Sequence, residues 1–217
     1  MPGKLAIIGA ALLLASSGVA LACQGSSNPV FDDRFNPPDP GWGAAGTVPG
    51  GATIIAFTPQ GMTITPPVNA TTFPSNPHYT MDGADLCVSV TLPATLPTPA
   101  NSDTVGDVGI AFWIKDVADI YLATMSPDGN AAIERVIANK RQPIYGPTAA
   151  AAIKTAAGST NEIEIMVSGN KGSFYINGTK ITDFSGQPPP NGGPPGVYAE
   201  SGSTAVTTWL FPRIQLY

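Results

Sequence analysis

The stretch Asn161-Glu-Ile-Glu-Ile-Met-Val-Ser-Gly-Asn-Lys-Gly-Ser-Phe-Tyr-Ile-Asn-Gly-Thr-Lys-Ile-Thr-Asp-Phe184 decides the fold class of this 217-residue chain. From Asn161 to Ser168 polar and apolar residues alternate, so Ile163, Ile165 and Val167 share one face and Glu162, Glu164 and Met166 the other. Gly169 to Gly172 is a turn, and Ser173 to Ile176 reads as the next strand. Asn177-Gly178 is the dipeptide of a type I′ hairpin, whose two central residues both need positive φ. Thr179 to Phe184 then returns alongside.

The same grammar extends in both directions. Ile120 to Met125 and Ala131 to Ile137 flank Ser126-Pro-Asp-Gly-Asn130, where proline presets φ, aspartate caps the turn and glycine accepts positive φ. After the proline- and glycine-rich loop Ser185 to Pro195, Gly196 to Ala199 and Ala205 to Leu216 give the last strands. Toward the amino terminus, Val30 to Phe35, Thr53 to Phe57, Gly61 to Thr65, Ala84 to Leu92 and Val108 to Lys115 read as strands. Pro37 to Gly51, with Trp42, is a loop, as is Pro93 to Asp103. Residues 66 to 80 hold too many prolines for a central strand. In Ala84 to Leu92, Leu86, Val88 and Val90 face one way and Cys87, Ser89 and Thr91 the other. Ala149 to Ala157 is expected to make one or two helical turns, ended by Gly158. About a dozen antiparallel strands without βαβ alternation argue an all-β, two-sheet sandwich with little helix.

Residues 1 to 22 read as a signal peptide: Lys4, an apolar run from Leu5 to Leu14, and Ala20 and Ala22 at the −3 and −1 positions of a cleavage site. The run is too short for a stable membrane span. One domain, 23 to 217, follows, in a secreted or periplasmic bacterial setting. Two fates compete for Cys23. A lipoprotein signal carries leucine at −3 and a small residue at −2, whereas Ala20 and Leu21 stand in the reverse order, which disfavours a lipid anchor. The even cysteine count and the oxidising compartment favour a bridge between Cys23 and Cys87. The formal charge is −5, one unit more negative once Lys4 is removed, and no basic cluster is present. Nucleic acid and anionic membrane surfaces are therefore poor partners.

A family resemblance rests on Phe31-Asp-Asp-Arg-Phe35 with Trp42 soon after, Gly109-Ile-Ala-Phe-Trp113, Tyr121-Leu-Ala123, Asn161-Glu-Ile-Glu-Ile with Phe174-Tyr-Ile-Asn-Gly178, Gly196-Val-Tyr198, and Trp209-Leu-Phe-Pro-Arg-Ile214. In this order they resemble the concanavalin A-like, or laminin-G-like, sandwiches. The chain is most similar to secreted bacterial 3-keto-disaccharide hydrolase-like domains, related to family 16 glycoside hydrolases. The resemblance implies a jelly roll with a concave sheet, sugar-related ligands and, in some members, a structural calcium ion.

Candidate chemistry follows from residue types. Glycosidases need two carboxyl groups about 5–9.5 Å apart, and Glu162 and Glu164 project from one strand face. Family 16 enzymes carry a third carboxylate two residues on, where this chain has Met166, so Glu164 is only a weak catalytic candidate. Glu134 is another, beside Arg135 in an otherwise apolar strand. Trp113, Tyr121, Arg135 and Tyr145 are the candidate ligand-binding set, with rings to stack on sugar C–H faces and a guanidinium to bond hydroxyls. Asp32, Asp33 and Asp39, or Asp103 with Asp107, offer oxygen ligands for calcium, but neither set has a loop motif, and solvated turn acids are the favoured reading. One histidine and two cysteines cannot build a zinc site. His78 lacks a serine-nucleophile elbow to serve. The expectation is a lectin-like protein binding a saccharide or cell-envelope polymer on a concave sheet. A glycoside hydrolase and a structural or adhesive envelope protein are the alternatives.

Overall fold

Alternation of apolar residues produces two sheets in the computed structural model, which describes residues 23, 28–47 and 52–217. In chain order the strands are β1 (Phe31–Asp33), β2 (Gly46–Thr47), β3 (Ile54–Thr58), β4 (Gly61–Thr65), β5 (Thr71–Thr72), β6 (Asp85–Thr91), β7 (Val108–Asp116) and β8 (Asp119–Met125). They continue with β9 (Asn130–Ile137), β10 (Lys140–Ala149), β11 (Thr160–Ser168), β12 (Lys171–Ile176), β13 (Thr179–Ser185), β14 (Gly196–Glu200) and β15 (Trp209–Leu216). One sheet runs β13-β12-β11-β6-β15-β4-β3-β2 with β1 also on β15, and the other runs β10-β9-β8-β7-β14-β5. Neighbouring strands are antiparallel, as tight-turn connections require.

The core lies between the sheets. Leu86, Val88 and Val90 of β6, Ile163 and Ile165 of β11 and Phe174 and Ile176 of β12 pack against Val108, Ile110 and Phe112 of β7 and Ile133 of β9. Each such side chain contributes about 1.5–3 kcal/mol by leaving water. A register shift between Leu210 and Arg213 resets the alternation of β15. Trp209 and Phe211 before it, and Ile214 and Leu216 after it, therefore all face inward.

The expected all-β sandwich is what forms, with local departures: β15 begins at Trp209 rather than Ala205, and the loop after Pro37 carries the short β2. Lys140 to Ala149 is a strand despite Pro143 and Pro147, because it is the edge of its sheet, where a missing N–H breaks no ladder. Ala149 to Ala157 makes turns rather than helix, since its buried Ile153 is held in the core by the chain closing back on Asn161. Cys23 and Cys87 are disulfide-bonded with Cα atoms 5.5 Å apart. The signal-peptide reading of residues 1 to 22 lies outside the described residues. Among the described residues no helix is long and apolar enough to cross a membrane.

Candidate functional site

The six-stranded sheet has a second face, made by the residues that alternate with its core set. Ala111 of β7, Ile120 and Leu122 of β8 and Tyr198 of β14 form an apolar cluster there, separate from the core, with Phe73 and Val136 packed against it. Charged side chains stand on the same face. Glu134 lies opposite Leu122, Arg141 lies opposite Val136, and Glu200 follows Tyr198 by two residues.

Arg141 ties these groups together. Its Nη1 is 3.3 Å from Glu134 Oε2 and its Nη2 is 2.8 Å from Glu200 Oε2. Nη2 also donates to the Tyr198 hydroxyl, which in turn donates to Glu200 Oε2 at 2.6 Å. The guanidinium carbon sits 5.6 Å from the centre of the Tyr198 ring. On a flat sheet the four inter-strand steps from β10 to β14 would amount to about 19 Å, further than arginine and tyrosine reach together. The sheet therefore curls, and its outer face is concave. Register shifts in β10 between Pro143 and Tyr145 and between Tyr145 and Thr148 help it bend inward.

Within this hollow is a cavity of about 220 Å³ lined by Phe73, Ile120, Leu122, Val136, Arg141 and Tyr198, among others. Asp107, just before β7, lies close enough to feel Glu200, Arg141 and Glu134. Burial pushes its carboxyl up to about 6, with the two glutamates adding and a Ser102 hydrogen bond and Arg141 opposing. Its Oδ1 is buried with no partner. Burial raises the Tyr198 hydroxyl far above its ordinary value, and Glu200 adds to the effect. Burial works against the Arg141 charge, but Tyr198, Glu200 and Glu134 outweigh it and the guanidinium is held above its usual value. The arrangement is an apolar floor with a fixed wall of donors and acceptors, suited to a small polyhydroxylated ligand with one C–H-rich face.

No family model and no curated protein matches the chain. Solved structures do. The carbohydrate binding module CBM66 from Bacillus subtilis is similar with a TM-score of 0.56 and 13% identity, covering 73% of this chain and 88% of that one. Sheep galectin-11 has a TM-score of 0.44 and 12% identity, covering 70% and 98%. The Caenorhabditis elegans galectin LEC-6 has 0.43 and 16%, covering 70% and 93%. The chain is a two-sheet jelly-roll sandwich. At these identities the likeness is one of fold.

The residues singled out from sequence are distributed differently from that expectation. Trp113 and Tyr121 are 1% and 2% exposed and pack edge-to-face in the core, rings 5.1 Å apart, so neither offers a stacking surface. Arg135 follows Glu134 and therefore points to the opposite, inner side of β9. There it bonds Asp119 at 3.1 Å and Gln187 at 2.7 Å and lies over the Tyr121 ring. Tyr145 packs half-buried against the core. Trp113, Tyr121 and Arg135 do come together, as packing between the sheets, while Tyr145 lies opposite Ile133. Glu134 alone of the candidates faces the hollow. Glu164, the other carboxylate candidate, is buried: β11 lies between β6 and β12, and Glu164 is 6% exposed. Burial and the neighbouring Asp85 push it up to about 7.

Of the acids considered for calcium, Asp32, Asp33 and Asp39 are committed to protein partners. Asp32 is bidentate with Arg213 at 2.7 and 2.6 Å, Asp33 accepts from Phe35, Asp39 and Trp42, and Asp39 accepts from Gly41 and Asn76. Among the described residues no group of three or more His, Cys, Asp or Glu side chains is gathered for a metal. A larger hollow of about 740 Å³ over β11 to β13 is lined by Lys171, Tyr175 and Asp183, but Asp183 is taken by Lys180 and Ser173. Reasoning from sequence missed Arg141, Tyr198 and Glu200. Their signal was only the outward position of each in its own strand.

Proposed function

We propose that this is an exported saccharide-binding protein that takes one sugar unit, free or at the end of a cell-envelope polymer, in the concave face of its six-stranded sheet. The observation that carries the reading is the single guanidinium of Arg141 fixing Glu134, Glu200 and Tyr198 above an apolar floor. A pyranose or furanose ring would lay its C–H face on Phe73 and Val136, the half-buried apolar residues of the hollow, and exchange hydroxyl hydrogen bonds with Arg141 and Glu200. The cavity of about 220 Å³ is below the span of drug-sized sites and suits one ring. The fold likeness to a carbohydrate binding module supports the same reading. Because Glu134 and Glu200 both accept from Arg141, neither is free to be aimed at a glycosidic oxygen as a proton donor, which supports binding over cleavage.

A second reading, glycoside cleavage, is favoured by one observation. Asp107, pushed up to about 6 beside two other carboxylates, has the character of a general acid. The experiment that separates the readings incubates the mature protein with a panel of glycosides and 3-keto-glycosides while recording melting temperature and turnover. Thermal shifts without turnover, lost in Arg141→Ala, are the expected result. Turnover abolished by Asp107→Asn or Glu134→Gln would replace the binding reading with the enzymatic one. Silence in both assays would overturn both and favour a structural envelope role.

A further inference from the structure

The outward face of the nine-stranded sheet holds a buried acidic pair that the saccharide site does not use. Asp85 of β6 and Glu164 of β11 are 7% and 6% exposed, and they stand diagonally across from each other on one sheet face, Asp85 opposite Met166 and Glu164 opposite Cys87. Both Asp85 oxygens are buried, and among the described residues no donor reaches them. The cation on the neighbouring strand β15, Arg213, is committed to Asp32. Glu162 on the same strand face, Tyr175 opposite Glu164 on β12, and Gln215 and Tyr217 from β15 and its end complete the surroundings. Two buried carboxyl groups without a cation are costly to ionise.

Cys23 is seated beside this pair by its bond to Cys87, which lies opposite Glu164 in the sheet. Its backbone N–H is close enough to the Glu164 carboxyl to oppose the rise that burial and Asp85 impose on it, and its carbonyl accepts from the Tyr217 hydroxyl at 3.5 Å. Cys23 also has φ of 70°, a left-handed conformation that L residues other than glycine rarely adopt. A residue at the start of a chain has no φ. Ala20 and Ala22 place the expected cleavage immediately before it.

We propose that Asp85 and Glu164 form a receptor for the α-ammonium group of Cys23, generated when the chain is cut between Ala22 and Cys23. Water adds across that peptide bond in a peptidase of the exporting cell, leaving a carboxylate on Ala22 and, at neutral pH, an ammonium on Cys23. One amide donor becomes three ammonium donors at the same nitrogen. Glu164 keeps its partner, and Asp85 gains the donor it lacks. The disulfide holds the new amine at the site, so processing completes a buried ion pair and relieves the backbone at Cys23. The feature is independent of the saccharide reading.

Two chains test this, one beginning at Cys23 and one with a single alanine added before it, together with the protein exported from a bacterial host. The exported protein is expected to begin at Cys23. The Cys23 chain is expected to melt ~6 °C or more above the extended chain, a gap that Asp85→Asn abolishes. Its α-amine should react with an amine-directed ester at pH 7 at least tenfold more slowly when folded than when reduced and unfolded. Should Asp85→Asn fail to fold, Glu164→Gln serves for the melting comparison, and the labelling readout needs no variant. A mature amino terminus other than Cys23, equal melting of the two chains, an unprotected amine or an acyl mass on Cys23 would each overturn the proposal.

Discussion

Arg141 on the edge strand β10 donates to the hydroxyl of Tyr198 on β14, four strands away in the same sheet. Curvature is what lets them meet, and their contact in turn holds the curve. Removing Arg141 therefore acts on both binding and shape. Arg141→Ala is expected to weaken saccharide binding by tenfold or more, measured by calorimetry. Because the arginine side chain is 36% exposed, solvent screens its pairs and the stability cost is about 1 kcal/mol. A loss of several kcal/mol with intact binding would show Arg141 to be a purely structural clamp.

Asp107 gives the chain a pH dependence with a definite sign. Its carboxyl rises from 3.8 to about 6 in the folded state. Between those values the native chain holds a proton that the unfolded chain has released. Its contribution favours folding at the acid end and is lost as pH rises through 6, by about 3 kcal/mol at most. Asp107→Asn should flatten this part of the profile and raise stability at pH 7 relative to the parent. Urea unfolding of both proteins from pH 4 to 8 measures it, and parallel profiles would show that Asp107 is not buried against its neighbours.

The bridge from Cys23 to Cys87 spans 64 positions. In the chain-entropy account a loop of that length contributes roughly 4 kcal/mol by restricting the unfolded state. The double variant Cys23→Ser with Cys87→Ser should lose stability of that order in urea titration, while far-ultraviolet dichroism stays that of a β sandwich. Collapse of the dichroism would mean that the staple is needed for the fold itself.

Much of this architecture is legible residue by residue. The alternation of β11, the Asn177-Gly178 turn and the Pro127-Asp128-Gly129 turn each encode their geometry locally, and the disulfide is the one pairing that two cysteines allow. The strand β10 is not legible in that way, because Pro143 and Pro147 are tolerable only at a sheet edge, and edge position is a property of the assembled sheet. The site is hidden for a related reason. Alternation says that Glu134, Arg141 and Tyr198 face outward in their own strands, but not that the sheet curls enough for them to meet. Trp113 and Tyr121 show the converse. An aromatic ring in an apolar run suits a core or a binding surface equally well, and here both rings pack between the sheets.

Asp33 is the acceptor on which the first turn after β1 depends. It is 5% exposed, and it accepts from the Phe35 N–H at 2.5 Å, the Asp39 N–H at 2.8 Å and Trp42 Nε1 at 3.0 Å. These bonds hold Phe35 in a left-handed conformation, φ 62°, and bring its ring and that of Trp42 into the core. Asp33→Ala would leave three donors without a partner, at a cost of about 1–3 kcal/mol for each that water cannot reach. Asp33→Asn keeps one acceptor oxygen but turns an NH₂ toward donors, so its cost should be smaller than that of alanine yet clear. Denaturant midpoints, with Trp42 fluorescence as a local probe, order the two variants. If asparagine proved as stable as the parent, a single acceptor would suffice, and the turn would owe its form to the packing of Phe35 and Trp42 rather than to the carboxylate.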